Sequence, residues 1–416
     1  MDQLHRRLSI EQVKVILQGY LQRTISRKEA EESLQVNKTR FFELLKEYRR
    51  DVAAFSIVYE RSTPMRLSAK FEKVIREELL QEKALVEDPE LPIWDFNYSA
   101  LRDRLRKKGL SVSATTITKR AKQLGCYIPH PKKKVHAREV ITSAIGAMIQ
   151  HDASLHLWSP FAKQKWTLIT SIDDYSRLLL YADFVPQETT WAHIQAAQRV
   201  MQTFGLPLQY YVDNFRVFRF VRERDSLLYQ QVLKTDQVDP QWRTCLRTLG
   251  VNVIYALSPQ AKGKVERPFR WLQDRIVRTC ALEKLSSLED VRAVLQQEVQ
   301  RYNFQQVHST TREIPALRFE HAKKSGNSLF RLFALPKPYT SSKDVFCLRE
   351  TRTVDGYCRI SLFNHQIHLS HVPLYEDVDL HMVPDPTRQA LEVRVWWNQN
   401  MLLSTTLPLP QSMVHF

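Results

Sequence analysis

From about residue 145 the chain reads as three consecutive strands followed by helix, strand, helix, strand and a long helix, and few folds accept that order. Ala147–Asp152, Trp166–Asp173 and Leu178–Val185 are short runs of apolar and β-branched residues. Asp174-Tyr-Ser-Arg177 forms the turn between the second and third. Thr189–Phe204 is amphipathic with a helical period and stops at Gly205. Leu208–Asp213 reads as a fourth strand, Pro240–Leu249 as a helix and Val251–Ala256 as a fifth strand. A long helix then runs to about Leu282. Pro268 is tolerated without a kink only near its start, so regular helix is predicted to begin near Lys264. Val265, Phe269, Leu272 and Ile276 form its apolar stripe, with Glu266, Arg270 and Gln273 beside it.

The segments on either side have different periods. Residues 9–50 predict three short helices. Asn37 caps the third, which turns Phe41, Leu44, Leu45 and Tyr48 inward and Lys38, Arg40, Lys46, Arg49 and Arg50 outward. This is the layout of a helix-turn-helix, and equally of a plain three-helix bundle. The pattern recurs: Tyr98–Lys108 closes at Gly109, then Ser113 caps Ala114–Leu124, which closes at Gly125. The outer face of this second unit carries Thr115, Thr116, Lys119, Arg120 and Lys122. A basic, proline-containing stretch follows, with Lys132, Lys133 and Lys134. Residues 342–408 alternate as six short strands, with Asp355-Gly356 and Asn364-His365 as expected hairpin turns, and read as a small barrel. The predicted division is residues 1–60 and 65–128 as two helix-turn-helix units, 129–144 as linker and 145–285 as an α/β core. Residues 286–340 form a helical connector and 341–416 the β-barrel.

Composition restricts the partner. The 416 residues carry a formal charge of +16, and residues 1–139 alone hold 29 Lys and Arg against 19 Asp and Glu. Such a balance fits a polyanion. The five cysteines, Cys126, Cys245, Cys280, Cys347 and Cys358, show no zinc spacing and predict no disulfide framework. The polar start predicts no signal peptide, and no apolar run is long enough to span a bilayer, so a soluble intracellular protein is expected.

Three carboxylates fall at the ends of elements that such a sheet brings together. Asp152 is expected to end the first strand and Asp213 the fourth, and Glu266 lies in the first turn of the long helix. Oxygen donors of this kind suit Mg²⁺. The segments Ile149-Gln-His-Asp152, Ile172-Asp-Asp-Tyr-Ser-Arg177, Tyr211-Val-Asp-Asn214, Ser258-Pro-Gln-Ala-Lys-Gly-Lys-Val-Glu-Arg267 and Arg301-Tyr-Asn303, followed by His308, resemble the DDE superfamily. These are the insertion-sequence transposases whose ribonuclease-H-like core is shared with retroviral integrases. The resemblance spans most of the chain and extends to a C-terminal barrel like that of phage Mu-type transposases.

It implies that Asp152, Asp213 and Glu266 hold two Mg²⁺ ions, with Mn²⁺ able to substitute. It also implies that transposon ends are nicked to free a 3′-OH, which is then joined to target DNA. Double-stranded DNA, further copies of the chain and, as in some relatives, an ATPase are the implied partners, in a prokaryotic cytoplasm at the nucleoid. Lys262, Lys264 and Arg270 are candidate DNA contacts beside Glu266. Two departures bear on subfamily: Ala153 follows the first Asp, and 52 residues separate Asp213 from Glu266, with Arg216, Arg219, Arg222 and Arg224 among them. Asp173 and Asp174 read as turn residues and His151 as core. Two rival readings stay open: a nuclease of the same fold without joining activity, and a domesticated DNA-binding regulator.

Overall fold

The computed structural model describes residues 4–57, 67–129, 142–212, 241–255 and 263–410, without the side chains of His5, Arg6 and residues 263–267. Two compact units are present, Met1–Val74 and Ile75–Phe416. In the first, a one-turn helix α1 (Leu4–Arg7) precedes α2 (Ile10–Leu21), α3 (Arg27–Leu34) and α4 (Lys38–Arg50). Each of the longer three starts on a side chain that satisfies an otherwise unpaired N–H. Ser9 and Ser26 form capping boxes with Gln12 and Glu29, and Asn37 accepts from the Arg40 amide at 2.8 Å. Val13, Leu17, Ala30, Leu34, Phe41 and Leu44 close the core, so Lys38, Arg40, Lys46, Arg49 and Arg50 are left exposed.

The second unit takes in α5 (Ala69–Glu87) from Ile75 onward, a helix not among those expected, then α6 (Tyr98–Lys107) and α7 (Ala114–Gln123). Gly109 and Gly125 adopt φ of +79° and +68° just beyond α6 and α7, which is the left-handed closure expected there. Leu101, Leu105, Ile117 and Ala121 are buried in these two helices. The Tyr98 hydroxyl donates to the Cys126 carbonyl at 2.7 Å.

Next comes a five-stranded sheet in the order β3-β2-β1-β4-β5. Its strands are β1 (Ile149–His156), β2 (Trp166–Asp173), β3 (Leu179–Val185), β4 (Gln209–Val212) and β5 (Asn252–Tyr255). β1, β2 and β3 are antiparallel neighbours, while β4 runs parallel to β1 and β5 parallel to β4. The helices are α8 (Thr190–Phe204), α9 (Gln241–Thr248), α10 (Gly263–Glu283), α11 (Leu288–Phe304) and α12 (Pro315–Lys324). One face of the sheet packs on α8 and α9 through Ile149, Ile194, Val200, Tyr210 and Trp242. The other packs on α10 and α11, where Trp166, Leu168 and Ile172 meet Phe269, Leu272, Ile276 and Val291. β2 is covered on both faces and all eight of its residues are buried.

β1 corrects one expectation. Asp152 does not end the strand. Ala153–His156 continue the antiparallel ladder against Trp166–Ile169, which leaves Asp152 mid-strand opposite Thr170.

The C-terminal strands are β6 (Leu348–Thr353), β7 (Arg359–Leu362), β8 (His365–His368), β9 (Asp377–Asp385), β10 (Ala390–Trp397) and β11 (Asn400–Pro408). They form a four-stranded antiparallel sheet, β11-β10-β9-β6, and a separate ribbon, β7-β8. The ribbon's turn is Phe363-Asn364, both at positive φ, one residue earlier than expected, because Leu362 pairs directly with His365. Asp355-Gly356 joins strands that are not each other's partners, so it is not a hairpin turn. The C-terminal β region and the α8/α9 side of the core share one hydrophobic cluster. The Gln241 side chain acts there as a strand partner, donating to the Arg349 carbonyl and accepting its N–H, both at 2.7 Å.

Candidate active site

Alternation along β1 sorts its side chains. His151 and Ala153 face α8, and Asp152, Ser154 and His156 face the α10 side. Asp152 is half-buried. Four residues on, His156 Nε2 lies 2.9 Å from the Gln273 side-chain amide nitrogen of α10. Burial, with the charge of Lys165, holds the His156 imidazole below its usual range, so it accepts this bond as the neutral ring. Beyond both elements the Ser159 hydroxyl donates to the Leu285 carbonyl. The two contacts advance together along both segments, so α10 runs in the same sense as β1. Moving back from them along the strand leads to Asp152, and moving back along the helix leads to its first turn.

Behind Asp152, on the opposite face, lies a buried hydrogen-bonded chain that sequence reasoning did not find. Ser171 Oγ and His151 Nδ1 are 2.8 Å apart, His151 Nε2 and His193 Nδ1 2.8 Å, and His193 Nε2 and Glu188 Oε1 3.0 Å. One set of neutral tautomers satisfies every link if each group donates toward Glu188. Trp242 stacks on His151 and donates to the His193 carbonyl at 3.2 Å. The packed role expected for His151 is therefore only part of its environment. The available signal was His193, a polar residue on the inward face of an amphipathic helix.

Asp173 and Asp174 are both buried. Asp173 accepts from the Gly146 and Ser176 amides and the Ser176 hydroxyl at 2.6–2.9 Å. Burial nevertheless raises its carboxyl above the usual range, with the neighbouring charge of Asp174 adding to that. Asp174 accepts from Thr142, Gln150 and Arg177. Both carboxylates hold the β2–β3 turn against the start of β1. Asn303 works similarly on β3, bonding the Leu179 N–H and C=O at 3.0 Å each.

Asp213 lies outside the described residues, as do Lys132, Lys133, Lys134, Lys262 and Arg216, Arg219, Arg222 and Arg224. Positions 264 and 266 are in the first turn of α10, with their side chains outside the described set. Arg270, on the same helix, is exposed. Lys38 and Arg40 are exposed on α4, and Arg40 pairs with Glu43 at 2.9 Å. On α7, Thr115 and Lys119 are exposed, and Thr116 and Arg120 are half-buried. Among the described residues no group of three His, Cys, Asp or Glu could hold a metal ion. No described helix is long and apolar enough to cross a membrane.

No family model matches the chain. Two curated relatives do. The candidate transposase y4bF of Sinorhizobium fredii is 28% identical over 277 residues, 66% of this chain and 56% of that protein. The transposase for insertion sequence IS1202 of Streptococcus pneumoniae is 31% identical over 173 residues, 42% of this chain and 36% of that protein. The match thus spans about half of the first relative and about a third of the second. Among solved structures, the HTLV-2 integrase catalytic core domain in complex with magnesium is 15% identical, with a TM-score of 0.30. That comparison covers 44% of this chain and 99% of the other. By sequence, then, the chain is similar to two transposases, one of them that of an insertion sequence.

Proposed function

We propose that the chain is a DDE transposase that binds transposon ends, nicks them to free a 3′-OH and joins that hydroxyl to target DNA. Asp152, Asp213 and Glu266 are the proposed metal ligands. The observation that carries this reading is the register between β1 and β4. Ile149 faces Tyr210 and Gln150 faces Tyr211, so partners differ by 61 positions, as do Asp152 and Asp213. Support for Glu266 comes from α10, which runs along the sheet face that Asp152 occupies and carries position 266 in its first turn.

The donor set fits the ion: Asp152 offers a half-buried carboxylate, and hard oxygen donors are what Mg²⁺ requires. When bound, a pair of such ions supplies positive charge to the attacking and departing oxygens of an in-line displacement. The three carboxylates orient the ions, and the ladder with β2 and the packing of α10 keep Asp152 from shifting. The units α2–α4 and α6–α7 are read as helix-turn-helix modules that grip the ends, with Lys38, Arg40, Thr115, Thr116, Lys119 and Arg120 facing DNA. Lys132, Lys133, Lys134, Lys262, Lys264 and Arg270 would follow its backbone. The two C-terminal sheets are read together as the small barrel. Several copies acting on two ends, with an ATPase partner as in some relatives, complete the proposal.

The test is strand transfer in Mg²⁺, with pre-cut end DNA and a plasmid target, for wild type and Asp213→Asn. Joined product that disappears in the variant is the expected result. Cleavage without joining would replace the reading with a nuclease. Tight end binding with neither reaction, in Mg²⁺ or Mn²⁺, would replace it with a DNA-binding regulator.

A further inference from the structure

The α5–α7 module is fastened to the core by buried charge. Glu82 of α5, fully buried, accepts from Arg278 of α10 at 2.5 Å and from Arg104 of α6 at 2.8 Å. Arg278 also donates to the Asp95 carbonyl and to Asp274, which in turn accepts from the Asn97 amide. A second node centres on Asp103 of α6, paired with Arg275 of α10 at 2.8 Å and Arg301 of α11 at 2.9 Å. Glu298 lies 3.5 Å from Arg275 and 3.3 Å from Arg301. Burial would raise the Asp103 carboxyl, but the hydrogen bond and charge of Arg275, with Arg301, bring it below the usual range. Beside the charges Leu85, Leu91 and Ile93 pack on Val277 and Ala281.

Such an interface differs from a greasy one. An apolar face can slide or rotate at modest cost, whereas displacing a buried ion pair leaves charge without compensation. The module therefore has one register against α10. That helix carries position 266 in its first turn, and Arg275 and Arg278 lie nine and twelve residues further on, about 14 and 18 Å along the axis. On the free side of the module Thr115, Lys119 and Lys122 of α7 are exposed.

We propose that Arg275 and Arg278 are positioning residues that make the α5–α7 module a ruler, setting the spacing between the end sequence gripped by α7 and the phosphodiester that reacts. This rests on the transposase reading. It adds that the register of the reaction is set through the buried ion pairs that Glu82 and Asp103 make with Arg278 and Arg275 of the helix that carries position 266.

The experiment compares the full-length wild type with Asp103→Asn/Arg275→Gln, which removes one charge of each sign. Both are given pre-cut ends of native length and ends with about 5 base pairs, half a duplex turn, inserted between the α7-protected sequence and the terminus. For wild type the insertion is expected to cut joining about a hundredfold, the scale of a displaced reacting group. The variant is expected to bind ends as wild type does, join native ends more weakly, and lose most of its discrimination between the two lengths. Amide exchange without DNA should quicken in α5, α6 and α10 together and stay unchanged in α8. If the double variant does not fold, Arg278→Lys carries the same comparison, since it keeps the charge and loses the guanidinium's reach to three partners. A variant with the wild-type length preference, or a wild type indifferent to length, overturns the ruler. A wild type that joins nothing at either length sinks the transposase reading and the ruler with it. Exchange then still decides the docking, which fails if α10 is unaffected.

Discussion

His381 makes the C-terminal sheet sensitive to acid. It sits on β9, 3% exposed, stacked on Trp396 with ring centroids 5.5 Å apart and flanked by Tyr339. Burial pushes its imidazole down to about 3, helped by the charges of Arg349 and Arg394 and only partly opposed by the backbone of Asp344. The folded protein therefore holds the neutral ring across a range in which the unfolded chain takes up a proton at about 6.5. The sign follows from that. Because the folded value is depressed, stability is full above about pH 6.5 and declines toward pH 3. Each pH unit costs about 1.4 kcal/mol, so acidification from pH 7.5 to 5.0 removes about 2 kcal/mol through this residue alone. Urea unfolding of wild type and His381→Phe at the two pH values reads this directly. Phe keeps the stacking on Trp396 and cannot take up the proton. Its loss at pH 5.0 should be about 2 kcal/mol smaller than that of wild type, since the other histidines cancel in the comparison. Equal losses in the two proteins would refute the argument.

Two substitutions test the scaffold around the site. At Gly205, φ is +103° and an added Cβ would lie 2.5 Å from the Arg331 carbonyl oxygen, so Gly205→Ala should cost well over about 1 kcal/mol in thermal unfolding. Asn303→Ala strips both partners from the Leu179 backbone inside the protein. A loss of about 2–4 kcal/mol in urea is expected, and a near-neutral result would mean that β3 finds other partners there.

The core was legible from period and punctuation. β2, read as Trp166–Asp173, has those bounds, and Ser113 caps its helix as its side chain predicts. What escaped were features made by distant partners. β1 was ended too early because nothing local in Ala153–His156 reveals that β2 supplies a ladder for it. The Asn398-Gln399 turn, both residues at positive φ, lacks the glycine that marks such hairpins and was passed over. α5 was missed although its Ile75, Leu79 and Leu85 are buried. Its inward face also carries Glu78 and Glu82, which look like solvent residues until Arg104 and Arg278 arrive from elsewhere in the chain. At the site, Asp152 could be picked from its strand, while the His151–His193–Glu188 chain joins residues up to 42 positions apart and has no local signature.

The residues that made the resemblance visible divide into two kinds. Asp173, Asp174 and Arg177 tie the β2–β3 turn to the start of β1, and Asn303 ties α11 to β3. These bonds are buried, and breaking one leaves polar groups unpaired inside the protein. They report an architecture: the β2–β3 turn, the start of β1 and one helix held in one arrangement. Asp152 is half-buried in the middle of β1 on the α10 face, and the proposal gives it a different task, that of a metal ligand. The structural residues thus support the fold, and the proposed ligands would carry the chemistry. For that reason Asp152, with its proposed partners Asp213 and Glu266, is where substitution should separate reaction from folding.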